Sequence, residues 1–337
     1  MNTNSGLQPK RDRRYLATWS TVFVLLVLSV VGALYYATLK VDYVWRWYRV
    51  PQYFFYQDNV EIKSEQQGEV ARIETKGDQA LVVVKGDDGT TQTYQVPAKG
   101  LRVDEGDAIY PGDVLGSYKQ WKVGILLQGL WITLKVSMLS IVLGIILGLL
   151  TGLARLSHNP AFRWSAITYI EIIRGSPLLV QIFIWYFVVG TLINTILTKQ
   201  NLPVVPPFWF GVASLTVFSG AYIAEIVRAG IQSIHAGQVE AARSLGMTSA
   251  QAMRHVVLPQ ALRRIMPPLA GQFISLIKDS SLLGIIAIRE LTKATREVVT
   301  TSLQPFELWF ICAVLYLILT FSLSMVVQYM ERRTVLT

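Results

Sequence analysis

Ser233-Ile-His-Ala-Gly-Gln-Val-Glu240-Ala241-Ala242-Arg243-Ser-Leu-Gly246-Met-Thr-Ser-Ala-Gln-Ala-Met-Arg-His-Val-Val-Leu258-Pro259-Gln-Ala-Leu-Arg263 is a polar stretch between two long apolar ones. Residues 238–245 are helix formers, and Gly246 follows them where a terminating glycine belongs. Thr248 or Ser249 can cap a second helix over 250–257, which Leu258-Pro259 is expected to interrupt. The stretch therefore predicts a helix-turn-helix rather than a plain connection. Ala241 and Ala242, flanked by Glu240 and Arg243, are expected to be exposed and small enough for close docking in a groove.

Outward from this stretch, apolar segments occupy roughly 123–153, 164–198, 208–232, 266–288 and 306–330. A further run covers 15–39, enough to cross a ~30 Å hydrocarbon core with some tilt. A signal peptide would have a shorter apolar region ending in small residues. Here Tyr35, Tyr36, Trp45, Trp47 and Tyr48 suit the aromatic belt of an uncleaved span. Gly144, Gly148 and Gly152, four residues apart, predict close approach of another helix. Six spans with both termini cytoplasmic satisfy the positive-inside rule. Lys10, Arg11, Arg13, Arg14, Arg155, Arg163, Arg243, Arg254, Arg263, Arg264, Arg332 and Arg333 share one side, against Lys199, Arg289, Lys293 and Arg296 on the other.

Composition agrees with a membrane protein. The 337 residues are 52% hydrophobic and 16% charged, with a mean hydropathy of +0.40, whereas soluble domains carry about 25% charged residues. One cysteine, Cys312, excludes an internal disulfide framework, and His158, His235 and His255 are too scattered for a zinc site. The net charge of +9 is uneven: 58–117 holds twelve acids and six bases, leaving +15 elsewhere. That excess fits cytoplasmic loops, and with no basic patch interleaved with aromatics, nucleic acid is not expected as a partner.

Residues 58–118 read as short strands, with 80–84 and 91–96 separated by the Gly86-Asp87-Asp88-Gly89 turn signal. Further Gly-Asp turns follow at 106–107 and 112–113, and their spacing resembles a barrel-sandwich (lipoyl-like) module. No lysine stands at a clear hairpin tip, so a carrier role is not expected. By the orientation above this β-domain is extracytoplasmic.

Glu240-Ala241-Ala242, then Gly246, then Val256-Val257-Leu258-Pro259 is similar to the EAA motif of binding-protein-dependent ABC importer permeases. Glu171-Ile-Ile-Arg174-Gly175-Ser176-Pro-Leu-Leu-Val-Gln181, Ser219-Gly-Ala-Tyr-Ile-Ala-Glu-Ile-Val-Arg228 and Lys278-Asp279-Ser280-Ser281-Leu-Leu283 look like the polar amino acid uptake family. The resemblance covers about 123–330. It implies an all-α polytopic fold of the type I importer permease (MetI-like) class, interrupted here by the β-domain. The expected organisation is a cytoplasmic N-terminus (1–14), an extra transmembrane helix (15–39), the β-domain (58–118) and a five-helix permease domain (123–330) containing the coupling loop 233–263. The resemblance also implies partners: an ATPase dimer, a second permease subunit and an extracytoplasmic solute-binding protein that delivers the amino acid. The motif would form a coupling helix in a cleft of the ATPase, with Glu240 facing basic side chains and Gly246 setting the angle between the short helices. ATP and magnesium would be bound by that partner, and this chain would hold no cofactor.

Ionisable residues within apolar segments face a cavity or a partner. Glu171, Arg174, Lys278 and Asp279 are such residues. Beside Arg174, Gly175 permits unusual backbone angles, Ser176 can cap, and Pro177 suits the start of a helix whose free N–H groups would seat a carboxylate. Arg174 and the Ser176 backbone are expected to bind the carboxylate, and Asp279 the amino group, near Ser280 and Ser281. Internal ion pairs, Glu171 with Arg174 and Lys278 with Asp279, are the alternative. No Gly-x-x-x-x-Gly-Lys-Ser/Thr occurs, so ATP must be held elsewhere. An ion-coupled secondary transporter is the second reading, but it leaves the helix-turn-helix unexplained. An efflux adaptor would have one membrane anchor, and an intramembrane hydrolase lacks its catalytic constellation.

Overall fold

The computed structural model describes residues 13–335, with side chains over 15–329. The polar segment 1–14 expected to be cytoplasmic and the tail arginines Arg332 and Arg333 fall outside the described side chains. Two units are described separately. The first contains helix α1, Arg13–Lys40. Its end is tied by Trp45 Nε1 donating to Thr38 Oγ1 at 3.2 Å, with Trp45 stacked on Trp47 at 5.6 Å.

The second unit begins with strands. β1 (Phe55–Lys63) and β6 (Val114–Val123) form an antiparallel ribbon. Between them, β2 (Gly68–Lys76), β3 (Gln79–Gly86), β4 (Thr91–Pro97) and β5 (Ala108–Ile109) make a sheet in the order β4-β3-β2-β5. Period-two alternation points Val82, Val84, Val96 and Val70 into one apolar core with Leu115 of the ribbon. In the β3–β4 turn the Asp88 carboxylate accepts from the Thr90 hydroxyl at 2.6 Å and N–H at 3.0 Å, which holds it below the usual carboxylate range.

Helices follow: α2 (Ile125–Arg155), α3 (Pro160–Gly175), α4 (Leu178–Phe183), a π turn over Ile184–Gly190, α5 (Thr191–Lys199) and α6 (Pro207–Gln232). Then come α7 (Ala236–Ser244), α8 (Ser249–Ala252), a π turn over Met253–Val257, α9 (Leu258–Asp279), a 3-10 turn over Ser280–Ile286, α10 (Leu291–Ser302) and α11 (Pro305–Val335). Among the described residues six helical stretches are long and apolar enough to cross a membrane: Tyr15–Lys40, Ile125–Arg155, Leu178–Lys199, Pro207–Gln232, Ser249–Ile286 and Pro305–Tyr329.

The bundle is organised on α2 against α6, which run parallel because α3 to α5 return the chain between them. The glycine stripe makes the contact. A Cβ on Gly148 would stand 2.6 Å from the Ile223 Cβ, and one on Gly144 would stand 2.3 Å from the Ser219 hydroxyl. Gly148→Leu is therefore expected to overpack this seam at a cost of about 1–3 kcal/mol. A lowered melting temperature of the detergent-solubilised chain checks it; an unchanged one would show that the seam yields.

Two expectations need correction. Leu258-Pro259 does not interrupt the second helix; Ser249 to Asp279 winds on through it. Proline lacks an N–H and crowds the carbonyl four residues back, and the π turn immediately before it supplies the extra residue that relieves the crowding. The segment 289–305, read as a loop, contains α10. Its cap is Glu290, fully buried, accepting from Thr292 N and Lys293 N at 2.7 Å each and from the Tyr316 hydroxyl at 3.0 Å. Burial pushes the Glu290 carboxyl above its ordinary range, against the opposing pull of those donors.

Candidate functional site

At one end of the bundle α7 and α8 form the helix-turn-helix. His235 caps α7, its Nδ1 accepting from Gly237 N at 3.1 Å. The helix stops in a Schellman arrangement: Gly246 N donates to Arg243 O at 3.0 Å, and Met247 N to Ala242 O at 3.2 Å. Gly246 stands at φ +84°, a left-handed conformation that glycine adopts without penalty. Thr248 and Gln251 close a capping box on α8.

The outward face of α7 carries Glu240, Ala241 and Leu245. Ala242 is not on it: it is 4% exposed, turned inward against the bundle. The reason is helical periodicity, since Val239 and Ala242 are three residues apart and share the face that packs on the core near Val257. Arg243 Nη1 donates to Ser249 Oγ at 2.7 Å and so links the two short helices. Leu245, which the sequence reading did not single out, is 82% exposed, more than any other large hydrophobic side chain among the described residues. Leu258 and Pro259 open α9, beyond the π turn.

Where α6 nears this end, Glu225 gathers arginines from three helices. Arg155 of α2 and Arg228 of α6 both bind its carboxylate, Arg228 Nη2 at 2.8 Å, while Arg174 of α3 stands 3.9 Å away with its guanidinium over the Tyr222 ring. Arg174 thus pairs with Glu225, not with Glu171 as considered. Arg174, Glu225, Arg228, Arg264 and Pro268 line a cavity of about 530 Å³.

The chain does break between α3 and α4, as the Gly175-Ser176-Pro177 sequence suggested. Ser176 ends α3, its hydroxyl donating back to Ile172 O at 2.9 Å, and Pro177 occupies the capping position of α4. Buried Gln181 bridges the break, its amide donating to Ile173 O at 2.8 Å and to the Ser176 hydroxyl at 2.9 Å. Gly175 has open space beside it and no positive φ, so its conformational freedom is not used. Lys278 and Ser281 line a different cleft, of about 280 Å³, with Thr292, Trp309, Cys312 and Tyr316. Ser280 is buried and donates to Ile277 O, and Asp279 is the last residue of α9. Pro268 and Lys278 are ten residues apart on α9, about 15 Å at 1.5 Å per residue. The structure therefore does not bring Arg174 and Asp279 together around one small ligand. Among the described residues no group of three His, Cys, Asp or Glu is arranged to hold a metal.

A bundle of apolar helices, with a few charged side chains lining the spaces between them and an exposed helical turn at one end, has the build of a polytopic membrane protein. The chain belongs to the family described as binding-protein-dependent transport system inner membrane component, whose model matches residues 140–336. It is 38% identical over 207 residues to the probable glutamine ABC transporter permease protein GlnM of Bacillus subtilis, covering 61% of this chain and 92% of that one. It is 38% identical over 211 residues to the glutamine transport system permease protein GlnP of Escherichia coli K12, covering 63% and 93%. A crystal structure of an amino acid ABC transporter with histidines superposes with a TM-score of 0.55 at 38% identity, over 62% of this chain and 94% of the other. An inward-facing MetNI methionine ABC transporter structure, at 21% identity and a TM-score of 0.53, shares the fold, over 62% and 96%. This chain is the membrane-spanning permease subunit of an ABC importer, and ATP hydrolysis belongs to a separate ATPase subunit.

Proposed function

We propose that the chain carries a polar amino acid inward across the inner membrane, driven by an ATPase dimer docked on α7 and fed by an extracytoplasmic solute-binding protein. The exposed Glu240–Ala241–Leu245 face carries this reading: it is the kind of surface a coupling helix offers, small and apolar with one charge. The names of the relatives, transporters of glutamine and cystine, support the cargo class. The α7–α8 end is cytoplasmic, as are both termini, and the strands of 58–118 form an extracytoplasmic barrel-sandwich module. The balance of basic loops and the closure of two small sheets on one apolar core support those assignments. A second permease subunit completes the pathway.

The cargo meets two stations in succession: the Lys278–Ser281 cleft and then the Arg174 cavity, with Glu171, Gly175, Ser176, Asp279 and Ser280 bordering the route. Reconstitution with the ATPase and binding protein in liposomes tests the reading. Uptake of labelled glutamine is expected to require ATP and to persist when ionophores collapse ion gradients. Uptake that follows the gradient and ignores ATP would overturn it in favour of an ion-coupled carrier. In the same assay Arg174→Ala is expected to raise the half-saturating substrate concentration several-fold; an unchanged value removes Arg174 from the path.

A further inference from the structure

The Glu225 cluster is electrostatically unfinished. Both carboxylate oxygens are occupied, Oε1 by Arg155 and Oε2 by the Arg228 Nε and Nη2 at 3.1 and 2.8 Å, and the remaining Arg228 nitrogen binds Gln232. Among the described residues Arg174 is left with only the 3.9 Å approach to Glu225 and its place over Tyr222, 5.3 Å from the ring centroid. Across the same cavity Arg264 uses one nitrogen on the Ser233 carbonyl. Glu171, within the electrostatic reach of Arg155, is the other nearby carboxylate. In the cavity lining three guanidiniums, of Arg174, Arg228 and Arg264, meet the one carboxylate of Glu225, and the two with spare donors, Arg174 and Arg264, open on the same space of about 530 Å³.

Arg174, 43% exposed, and the exposed Arg264 keep spare donors on this space, where one oxyanion could accept from both. Stacking on Tyr222 fixes the Arg174 plane and reduces the entropy lost on binding. The rest of the lining is Ile226, Ala229, Gly230, Pro268 and Ser233, whose hydroxyl is turned to donate to Gly230 O at 2.7 Å. We infer that this cavity is an oxyanion site in which Arg174 and Arg264 together hold one carboxylate or phosphate group, with Glu225 and Tyr222 as the residues that position Arg174. The group has two possible sources, the α-carboxylate of the cargo and the phosphate of an anionic lipid, and the chemistry is the same. The inference deepens the transport reading by pairing Arg174 with Arg264 on α9, and it stands whether or not the chain carries glutamine.

The test uses the full chain in nanodiscs of phosphatidylcholine, with and without phosphatidylglycerol. Binding of L-glutamine, of glutaminamide (which lacks the carboxylate) and of inorganic phosphate is measured, and retained lipid is read by native mass spectrometry. Arg174→Gln and Arg264→Gln should each weaken the bound oxyanion roughly tenfold or more, as the loss of a charge-assisted hydrogen bond does. Arg264→Lys keeps the charge and the fold and should recover part of the loss. Glutamine binding that glutaminamide cannot reproduce assigns the cargo as source. Phosphatidylglycerol retained by the wild type and lost by both variants assigns the lipid. If glutamine, phosphate and phosphatidylglycerol all bind Arg174→Gln, Arg264→Gln and Arg264→Lys as they bind the wild type, the inference is wrong, whatever the transport assay shows.

Discussion

Glu240→Lys is expected to abolish substrate-stimulated ATP hydrolysis while the permease still folds and inserts. Glu240 is exposed on α7 and has no ion pair among the described residues, so reversing its charge should change folding stability by no more than about 0.5 kcal/mol. Its effect is then expected at the proposed ATPase-docking surface. Loss of a hydrogen-bonded charge at an interface costs roughly 2–5 kcal/mol, about thirty-fold or more in affinity. Reversal adds repulsion to that loss. Co-purification of the ATPase with the permease, and the ATP turnover of the assembled complex, read the outcome separately from membrane insertion. Leu245→Glu, at the most exposed large hydrophobic side chain among the described residues, should act in the same direction. An ATPase that binds and turns over normally on both variants would remove α7 from the docking surface.

Glu225→Gln is the second large effect, and it acts on the permease itself. The carboxylate is 17% exposed and holds Arg155 and Arg228, with Arg174 alongside. Removing one partner of a buried ion pair leaves uncompensated charge, a loss of about 3–5 kcal/mol when fully buried and at the lower end of that range here. The melting temperature should fall by several degrees. The double variant Arg155→Gln with Glu225→Gln should be less destabilised than the sum of the single changes, because it removes an unpaired cation together with its anion. Additive losses would mean that the two side chains do not interact, and the cluster would lose its central contact.

How much of this was legible in advance differs by feature. Gly246 could be read directly, because a terminating glycine is a local requirement that its own backbone enforces. The same holds for the six apolar stretches and for the Gly144–Gly148–Gly152 stripe, although nothing in the stripe named α6 as its partner. Glu225 lay inside a quoted motif, and Arg228 three residues on hinted at a local pair. Arg155 and Arg174, 70 and 51 residues away, gave no such hint. Gln181, five residues on, also gave no hint that its amide turns back into the break and takes the Ser176 hydroxyl.

The sequence alone determined that the chain crosses a membrane several times, that a structured turn separates two of the spans, and which family it resembles. These are properties of composition and short-range spacing, where hydropathy and the cost of an unsatisfied backbone leave few solutions. Only the tertiary structure decided which face of α7 is free, turning Ala242 inward and Leu245 outward. It also decided that the helix winds through Pro259 on a π turn, and that Arg174 joins Glu225 and Arg264, not Asp279. Each of those outcomes depends on which helices lie side by side, and that pairing is set by packing between segments far apart in the chain.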